Sequence, residues 1–180
     1  MSKKDVLRFY CSESKPQRLS FLIVGSSESI SLLKPAILIE NKNKYFGRLQ
    51  PQFCESIESI KVSATPDLYT DFIVILLDPL DSAIISRQED TMLQIDPAFF
   101  CGRLCIVNCN SGSNPSHWKV QQNYFTLISE KYQLNLINGD ISIPGTCSYL
   151  AEQIMILVAS VCGYKTGCFV PLDPFKMFHE

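Results

Sequence analysis

The stretch Asp71-Phe72-Ile73-Val74-Ile75-Leu76-Leu77-Asp78 is continuously apolar between two aspartates. A run of this kind is typical of a central strand that other elements cover on both faces. Similar runs at Leu19–Val24, before Gly25, and at residues 103–108 predict two more core strands. Residues 134–137 predict a short strand, and the alternating residues 59–63 predict a half-buried one.

Helical patterns lie between these strands. Helix starts are predicted from capping residues or prolines at residues 26–29, at Ser86 with Glu89 three residues later, at Asn114-Pro115, and near Thr146. Pro35 predicts that the first helix starts or kinks there, and Gly163 is placed to end the last one. Strands that alternate with helices favour an α/β domain with a largely parallel sheet. The helix after Pro115 is expected to bury Val120, Tyr124, Leu127, Ile128 and Tyr132.

The composition excludes several classes of protein. The 180 residues are 46% hydrophobic and 19% charged, so the chain as a whole is not disordered. Lys and Arg total 16 against 18 acidic residues, which leaves no basic excess for nucleic-acid binding. No stretch reaches the roughly 18 apolar residues of a membrane span, and no apolar leader follows Met1. We expect a domain at 18–168, a polar arm at 1–17, an apolar tail at 169–180, and a cytosolic or nuclear location.

The chain has eight cysteines but no C-x2-C pair of the kind that binds zinc. Cys101, Cys105 and Cys109 form a C-x3-C-x3-C row whose only nearby histidine is His117. Buried, reduced thiols are the favoured interpretation of this row. The sequence therefore predicts no metal and no other cofactor.

Gly25 stands between a strand and a helix, where a phosphate-binding loop GxxxxGK[ST] would lie. Ile30, Ser31 and Leu32 occupy the positions of its second Gly, its Lys and its metal-binding hydroxyl. Residues 63–67 lack the GTPase DxxG, and residues 108–112 lack the Lys and Asp of the guanine-reading NKxD. The sequence thus predicts a degenerate loop and no nucleotide.

Other catalytic signals are weak. Asp78 and Asp81 follow a strand, at the sheet edge where α/β sites gather. A turn through Asp78-Pro79-Leu80-Asp81 with a cap at Ser82 is the favoured explanation. No catalytic residue is therefore predicted.

Two apolar features are candidates for contact with another protein: a corner before the third core strand and the tail after the last helix. Each either packs on its own domain or meets a partner. Arg103, beside the corner, is a rim contact or a solvated side chain. The candidate contact residues are Phe99, Phe100, Cys101, Arg103, Phe169, Val170 and Leu172.

The segment Ile95-Asp96-Pro97-Ala98-Phe99-Phe100-Cys101-Gly102-Arg103-Leu104-Cys105, after the strand that begins Asp71-Phe72-Ile73-Val74, resembles the centromere protein M family. The family has a "VDASFFLGKVC"-like segment there. Residues 22–25 with Glu28 fit the family's first strand and turn, and Cys162-Gly163 fits the end of its last helix. The resemblance spans about residues 19–172.

The resemblance implies a small-GTPase-like, P-loop-type fold, with a mostly parallel sheet flanked by helices, that has lost nucleotide binding. It implies a non-catalytic subunit of the inner kinetochore in the nucleus. The implied partners are centromere protein I, contacted directly, and centromere proteins H and K in the same complex. No contact with nucleotide, membrane or nucleic acid is implied. A divergent GTPase, and a pseudo-GTPase adaptor in trafficking or motor assembly, are the alternatives.

Overall fold

The structure, a computed structural model, describes residues 19–57 and 70–162. Strands and helices alternate along this part of the chain. In order they are β1 (Leu19–Val24), α1 (Ser27–Tyr45), β2 (Leu49–Cys54), β3 (Phe72–Leu77), α2 (Ile84–Leu93), β4 (Leu104–Asn108), α3 (Tyr124–Tyr132), β5 (Asn135–Asn138) and α4 (Pro144–Val161). The predicted core strands are confirmed as β1, β3 and β4, and the short strand at 134–137 is confirmed as β5, shifted by one residue.

The five strands form one sheet in the order β2-β1-β3-β4-β5, and every pairing is parallel. Val74 of β3 aligns with Ile23 of β1 on one side and with Cys105 of β4 on the other. The α/β prediction is therefore confirmed, and the all-parallel sheet flanked by helices is consistent with a small-GTPase-like fold.

Successive side chains of a strand point to opposite faces of the sheet. Helices cover both faces of this sheet, so both are buried. Phe21, Val74 and Val107 share one core with α1 and α4. Leu22, Ile73 and Ile106 belong to a second core with α2 and α3. The central strands must be apolar at every position to fill both cores, which explains the continuous run of β3.

The predicted start of α1 at residues 26–29 is confirmed, with Ser26 as its N-cap, whereas a start at Pro35 is wrong and strand β2 was not predicted. The helix begins at Ser27 and runs through Pro35, and residues 40–44 form its last turns. Strand β2 was not predicted because Gln50, Pro51 and Gln52 interrupt its apolar pattern. The Asn41 amide donates to the Leu49 carbonyl at 2.6 Å and joins the helix to this strand.

The predicted capping box at Ser86 is wrong. Helix α2 begins at Ile84, so Ser86 lies inside it, and its hydroxyl donates to the Ala83 carbonyl at 3.2 Å. Asp81 supplies the local contact instead, since its carboxylate accepts from the Ala83 N–H at 2.8 Å. A side-chain bond from the preceding turn thus replaces the expected cap.

The helix expected after Asn114-Pro115 is also shorter than predicted. Asn114 caps only one 3-10 turn, and α3 starts at Tyr124. Tertiary contacts hold the residues between: the Lys119 N–H donates to the Pro79 carbonyl, and the Trp118 indole donates to Ser113, both at 2.7 Å. The buried residues of α3 are Phe125 and Ile128, whereas Leu127 is exposed.

Helix α4 starts two residues before the predicted Thr146 and buries Leu150, Ile154 and Val158, as expected. None of the helices in the described ranges has the length and hydropathy to cross a membrane. The predicted strand at 59–63, the cap at Gly163, the arm at 1–17 and the tail at 169–180 lie outside the described residues.

Candidate functional site

A cleft of about 540 Å³ opens near the carboxyl end of β1. Strand order reverses between β1 and β3, and α/β proteins bind ligands at such a switch point. Nucleotide-binding proteins with this kind of sheet hold their ligand at the same place. It is lined by Ser26, Glu28, Ser29, Leu32, Asp78, Leu80, Asp81, Asn110, Ile141 and Ser142.

Gly25, at the head of this cleft, has a packing role. A Cβ atom at Gly25 would lie 2.7 Å from the Leu76 Cβ of β3, closer than real Cβ contacts. The Gly25 N–H also donates to the Cys54 carbonyl of β2 at 3.2 Å. The glycine is thus needed for close strand packing, and its amide is already engaged within the sheet.

Ser26 and Ser29 bond to each other at the first turn of α1. Ser26 accepts from the Ser29 N–H at 3.1 Å and donates to the Ser29 hydroxyl at 2.8 Å. At the positions where a phosphate loop would be active, Ile30 packs against the core and Ser31 donates to the Glu28 carbonyl at 2.8 Å. Leu32 lines the cleft. These side chains provide no cation and no free donor of the kind that a phosphate requires.

The charges around the cleft are negative. Glu28, Asp78 and Asp81 line it, and among the described lining residues none is Lys or Arg. The turn predicted here is confirmed, because the Asp81 N–H donates to the Asp78 carbonyl at 3.1 Å. The predicted cap at Ser82 is wrong, since helix α2 is capped at Ala83 without a side-chain bond. An anionic phosphate would meet three carboxylates without a compensating cation, which is unfavourable.

The segment in the place of a base-reading motif holds the sheet edge together. Asn108 is buried at the end of β4, and its amide donates to the Asn138 side chain at 3.2 Å. Asn110 donates to the Asp78 carboxylate at 2.8 Å. Both side chains are thus bonded to neighbouring elements of the same domain.

The cysteine row is split by burial. Cys105 and Cys109 are fully buried in the core, whereas Cys101 is exposed. Burial raises the pKa of the Cys105 and Cys109 thiols, and it raises that of Cys162 to about 12. Within the described residues no group of three metal-ligating side chains converges. Cys105 and Cys109 therefore act as small apolar residues, as the favoured interpretation proposed.

This placement predicts selective alkylation. Iodoacetamide at pH 8 is expected to modify Cys101 completely while Cys105 and Cys109 stay unmodified, because the thiolate is the reacting form. Peptide-resolved mass spectrometry of timed samples would measure this, with a urea-unfolded sample as control. Equal rates at Cys101 and Cys105 in the folded chain would contradict the buried placement.

The apolar corner that was predicted before β4 as a contact site is partly buried in the core. Phe99 is 0% exposed, so the alternative in which it packs on its own domain describes it. Phe100 is half-buried against Tyr132, with ring centroids 5.7 Å apart, and Cys101 is exposed. Of these three residues, Phe100 and Cys101 present side-chain surface to solvent, and their role in binding a partner stays a prediction.

Arg103 was expected at the surface, and that expectation is wrong. Its side chain is 5% exposed, and its guanidinium donates to the Asp71 carbonyl at 3.4 Å. Burial raises the pKa of the Asp71 carboxyl, while the Ser20 N–H and Arg103 lower it. Arg103 thus belongs to a buried polar cluster at the start of β3, which sequence reasoning could not detect across 32 residues.

Three candidate contact residues of the tail lie outside the described residues: Phe169, Val170 and Leu172. Sequence reasoning did not single out the exposed Ile39 and Phe46 of the α1 region. Their apolar character is visible in the sequence, but their exposure is known only from the structure.

Comparison with known proteins gives the family. Residues 61–172 match the family model described as Centromere protein M (CENP-M). The human protein named Centromere protein M is 21% identical over 97 residues, which are 54% of this chain and 53% of that protein. The chain thus matches about half the length of this relative. Because the family model covers well over half of the chain, from before β3 to beyond α4, the chain belongs to the centromere protein M family of centromere proteins.

Proposed function

We propose that this chain is a non-catalytic subunit of the inner kinetochore that binds and stabilises centromere protein I. It acts within a complex that also contains centromere proteins H and K, at centromeres in the nucleus. It is a pseudo-GTPase: it keeps the α/β fold and uses it as a structural platform, without nucleotide, metal or direct nucleic-acid contact. Membership of the centromere protein M family supports the location.

The proposal rests on the contacts of the β1–α1 turn, which serve the packing of the domain. The amide of Gly25 bonds to β2, its α-carbon packs on Leu76, and Ile30 lies against the core. The cleft beside the turn is lined by Glu28, Asp78 and Asp81. In an enzyme, removal of one preorganised hydrogen-bond donor typically lowers the reaction rate by 10²–10³-fold, and this turn lacks several such donors. These features favour a platform over an enzyme.

The candidate contact surface combines the exposed part of the corner with the apolar tail. Phe100 and Cys101 lie in the matched range, and so do Phe169, Val170 and Leu172. Aromatic and aliphatic side chains that leave water on binding are the usual source of affinity in such complexes. Phe99 and Arg103 are buried, so their side chains offer little surface to a partner.

We predict that the double variant Phe169→Asp/Leu172→Asp fails to assemble with its partner proteins. Coexpressed with centromere proteins I, H and K, the double variant is expected to lose co-purification almost completely, because two charges would have to be buried at the interface. Recovery of centromere protein I after a high-salt wash, relative to the unmodified chain, would measure the loss.

The matched control is Leu127→Asp, an exposed apolar residue on α3 that the proposal does not use. It should assemble normally, and all variants should keep the same helical circular dichroism. Undiminished recovery with Phe169→Asp/Leu172→Asp would reject the tail as the contact surface. Failure of the unmodified chain to recover centromere protein I would reject the proposed function itself.

The alternative of a divergent GTPase is tested separately. Purified protein is denatured, and the released small molecules are separated by anion-exchange chromatography. We expect no guanine nucleotide, and no heat of binding when GTP and Mg²⁺ are added at millimolar concentration. Stoichiometric nucleotide in the supernatant would favour the enzyme and overturn the platform.

A further inference from the structure

Helix α1 is apolar on two opposite sides. Leu33 and Ile37 are buried against the sheet. On the other side, Leu32, Pro35 and Ile39 recur at positions i, i+3 and i+7, and all are exposed, Ile39 by 61%. Charged and polar residues occupy most of the rest of the exposed surface of α1, so these apolar side chains form a narrow stripe that water reaches.

Phe46 is the C-cap of the helix, seven residues after Ile39. It is 80% exposed and adopts φ 51, in the left-handed region that suits glycine. Gln133 closes α3 with φ 53, but its polar side chain gains by exposure. Phe46 thus combines a strained backbone with a large apolar side chain in water, and such outliers mark functional sites.

Two exposed cations lie close to Phe46 in the sequence. Lys42 and Arg48 are both exposed, and neither forms an ion pair with a described residue. Lys44, by contrast, is paired with Glu40 and with Glu152 of α4. In a chain whose formal net charge is -2, the carboxyl end of α1 therefore presents two available cations within four residues of Phe46.

We infer that the outer face of α1, formed by Pro35, Ile39 and Phe46 with Lys42 and Arg48 beside it, docks an acidic amphipathic helix of another protein. Leu32 is left out of this face because it lines the acidic cleft. From Pro35 to Phe46 the face extends about 17 Å, the length of three helical turns. Apolar anchors at i, i+3 or i+4 and i+7 on the partner would match it, and flanking carboxylates would pair with Lys42 and Arg48. This surface is distinct from the corner and tail and goes beyond the proposed function.

The test uses the full chain as bait for displayed 16-residue helices. The library keeps Leu, Ile or Phe on one side and varies the flanking positions among Glu, Gln and Lys. We expect selection to enrich Glu at those positions. Ile39→Asp and Phe46→Asp should each weaken the selected peptide about tenfold or more, whereas Leu127→Asp on α3 should leave its affinity unchanged.

A charge exchange makes the test specific. The variant Lys42→Glu/Arg48→Glu should select Lys in place of Glu from the same library. Selection without charge preference, or peptide affinity that Ile39→Asp leaves intact, would overturn the inference. Dimers of the unmodified chain that Ile39→Asp dissolves would identify a second copy as the occupant and would also overturn it. These outcomes do not depend on centromere protein I, so they are distinct from failure of the proposed function.

A second variant separates binding from folding at Phe46. Asparagine tolerates the left-handed conformation, so Phe46→Asn should raise the midpoint of thermal unfolding by about 2–4 °C. The same variant should weaken the selected peptide. A lower midpoint together with unchanged peptide affinity would show that Phe46 serves the fold alone, and would reject its place in the docking face.

Discussion

Replacement of Gly25 with alanine is expected to lower the free energy of unfolding by about 1–3 kcal/mol. The new Cβ would lie 2.7 Å from the Leu76 Cβ and 3.1 Å from its Cδ1. The Leu76 Cβ is attached directly to the backbone of a central strand, so no change of rotamer relieves the contact. The sheet itself would have to separate at β1 and β3, and urea unfolding would measure the loss.

Two other glycines provide matched controls. A Cβ at Gly139 would meet the Leu150 Cδ1 at 3.0 Å, a methyl group that a small side-chain movement displaces, so Gly139→Ala should cost less. A Cβ at Gly145 meets nothing within 4 Å, and Gly145→Ala in the first turn of α4 should be neutral or stabilising by about 0.5–1 kcal/mol. If Gly25→Ala proved as mild as Gly145→Ala, the packing role of Gly25 would be refuted.

The second large effect is expected at Arg103. Arg103→Ala should cost about 2–3 kcal/mol at pH 7, since it removes a buried hydrogen bond from a charged group and the apolar packing of a long side chain. It also removes a positive charge that lowers the pKa of Asp71. Because this residue is a candidate partner contact, the result decides whether a loss of binding in its variants is direct.

The same pair gives a pH dependence. Burial raises the pKa of Asp71 in the folded chain, so its protonated form is favoured there: that contribution to stability is present at low pH and is lost as pH rises through the folded pKa. Arg103 interacts favourably with the ionised form. The stability difference between the unmodified chain and Arg103→Ala should therefore narrow from pH 7 to pH 4.5.

Unfolding curves at several pH values would show this trend. Lys42→Ala, which removes an exposed cation, should change stability by less than about 0.5 kcal/mol at every pH. An Arg103→Ala chain as stable as the unmodified one, yet unable to bind centromere protein I, would return Arg103 to the list of surface contacts.

The central layer of the fold was predictable because its signal is local. The run from Phe72 to Leu77 must be a strand with two covered faces, and Leu19–Val24 before Gly25 fits beside it. Strand β2 was hidden because a strand at the edge of the described sheet tolerates Pro51 and polar side chains. The start of α3 was misplaced because contacts such as that of Lys119 with the distant Pro79 outweigh local capping.

The sequence shows which nucleotide-binding residues the candidate site lacks, but it does not show which side chains line the cleft. The absent Lys is visible in the sequence at Ser31, with no structure needed. The convergence of Glu28 with Asp78 depends on the sheet order, which brings residues 50 positions apart to one cleft. Burial of Arg103 and exposure of Phe46 also depend on packing. The type of each side chain is known from the sequence, but whether it is buried is not.

The construction of the β1–α1 turn has an evolutionary consequence. No single substitution turns it into a phosphate-binding loop. Lys at position 31 would still lie beside a cleft lined by three carboxylates, and the Gly25 amide would still bond to Cys54. Gly at position 30 would remove a side chain that packs against the core. Phosphate binding at this turn would therefore need several substitutions at once, each of little use without the others.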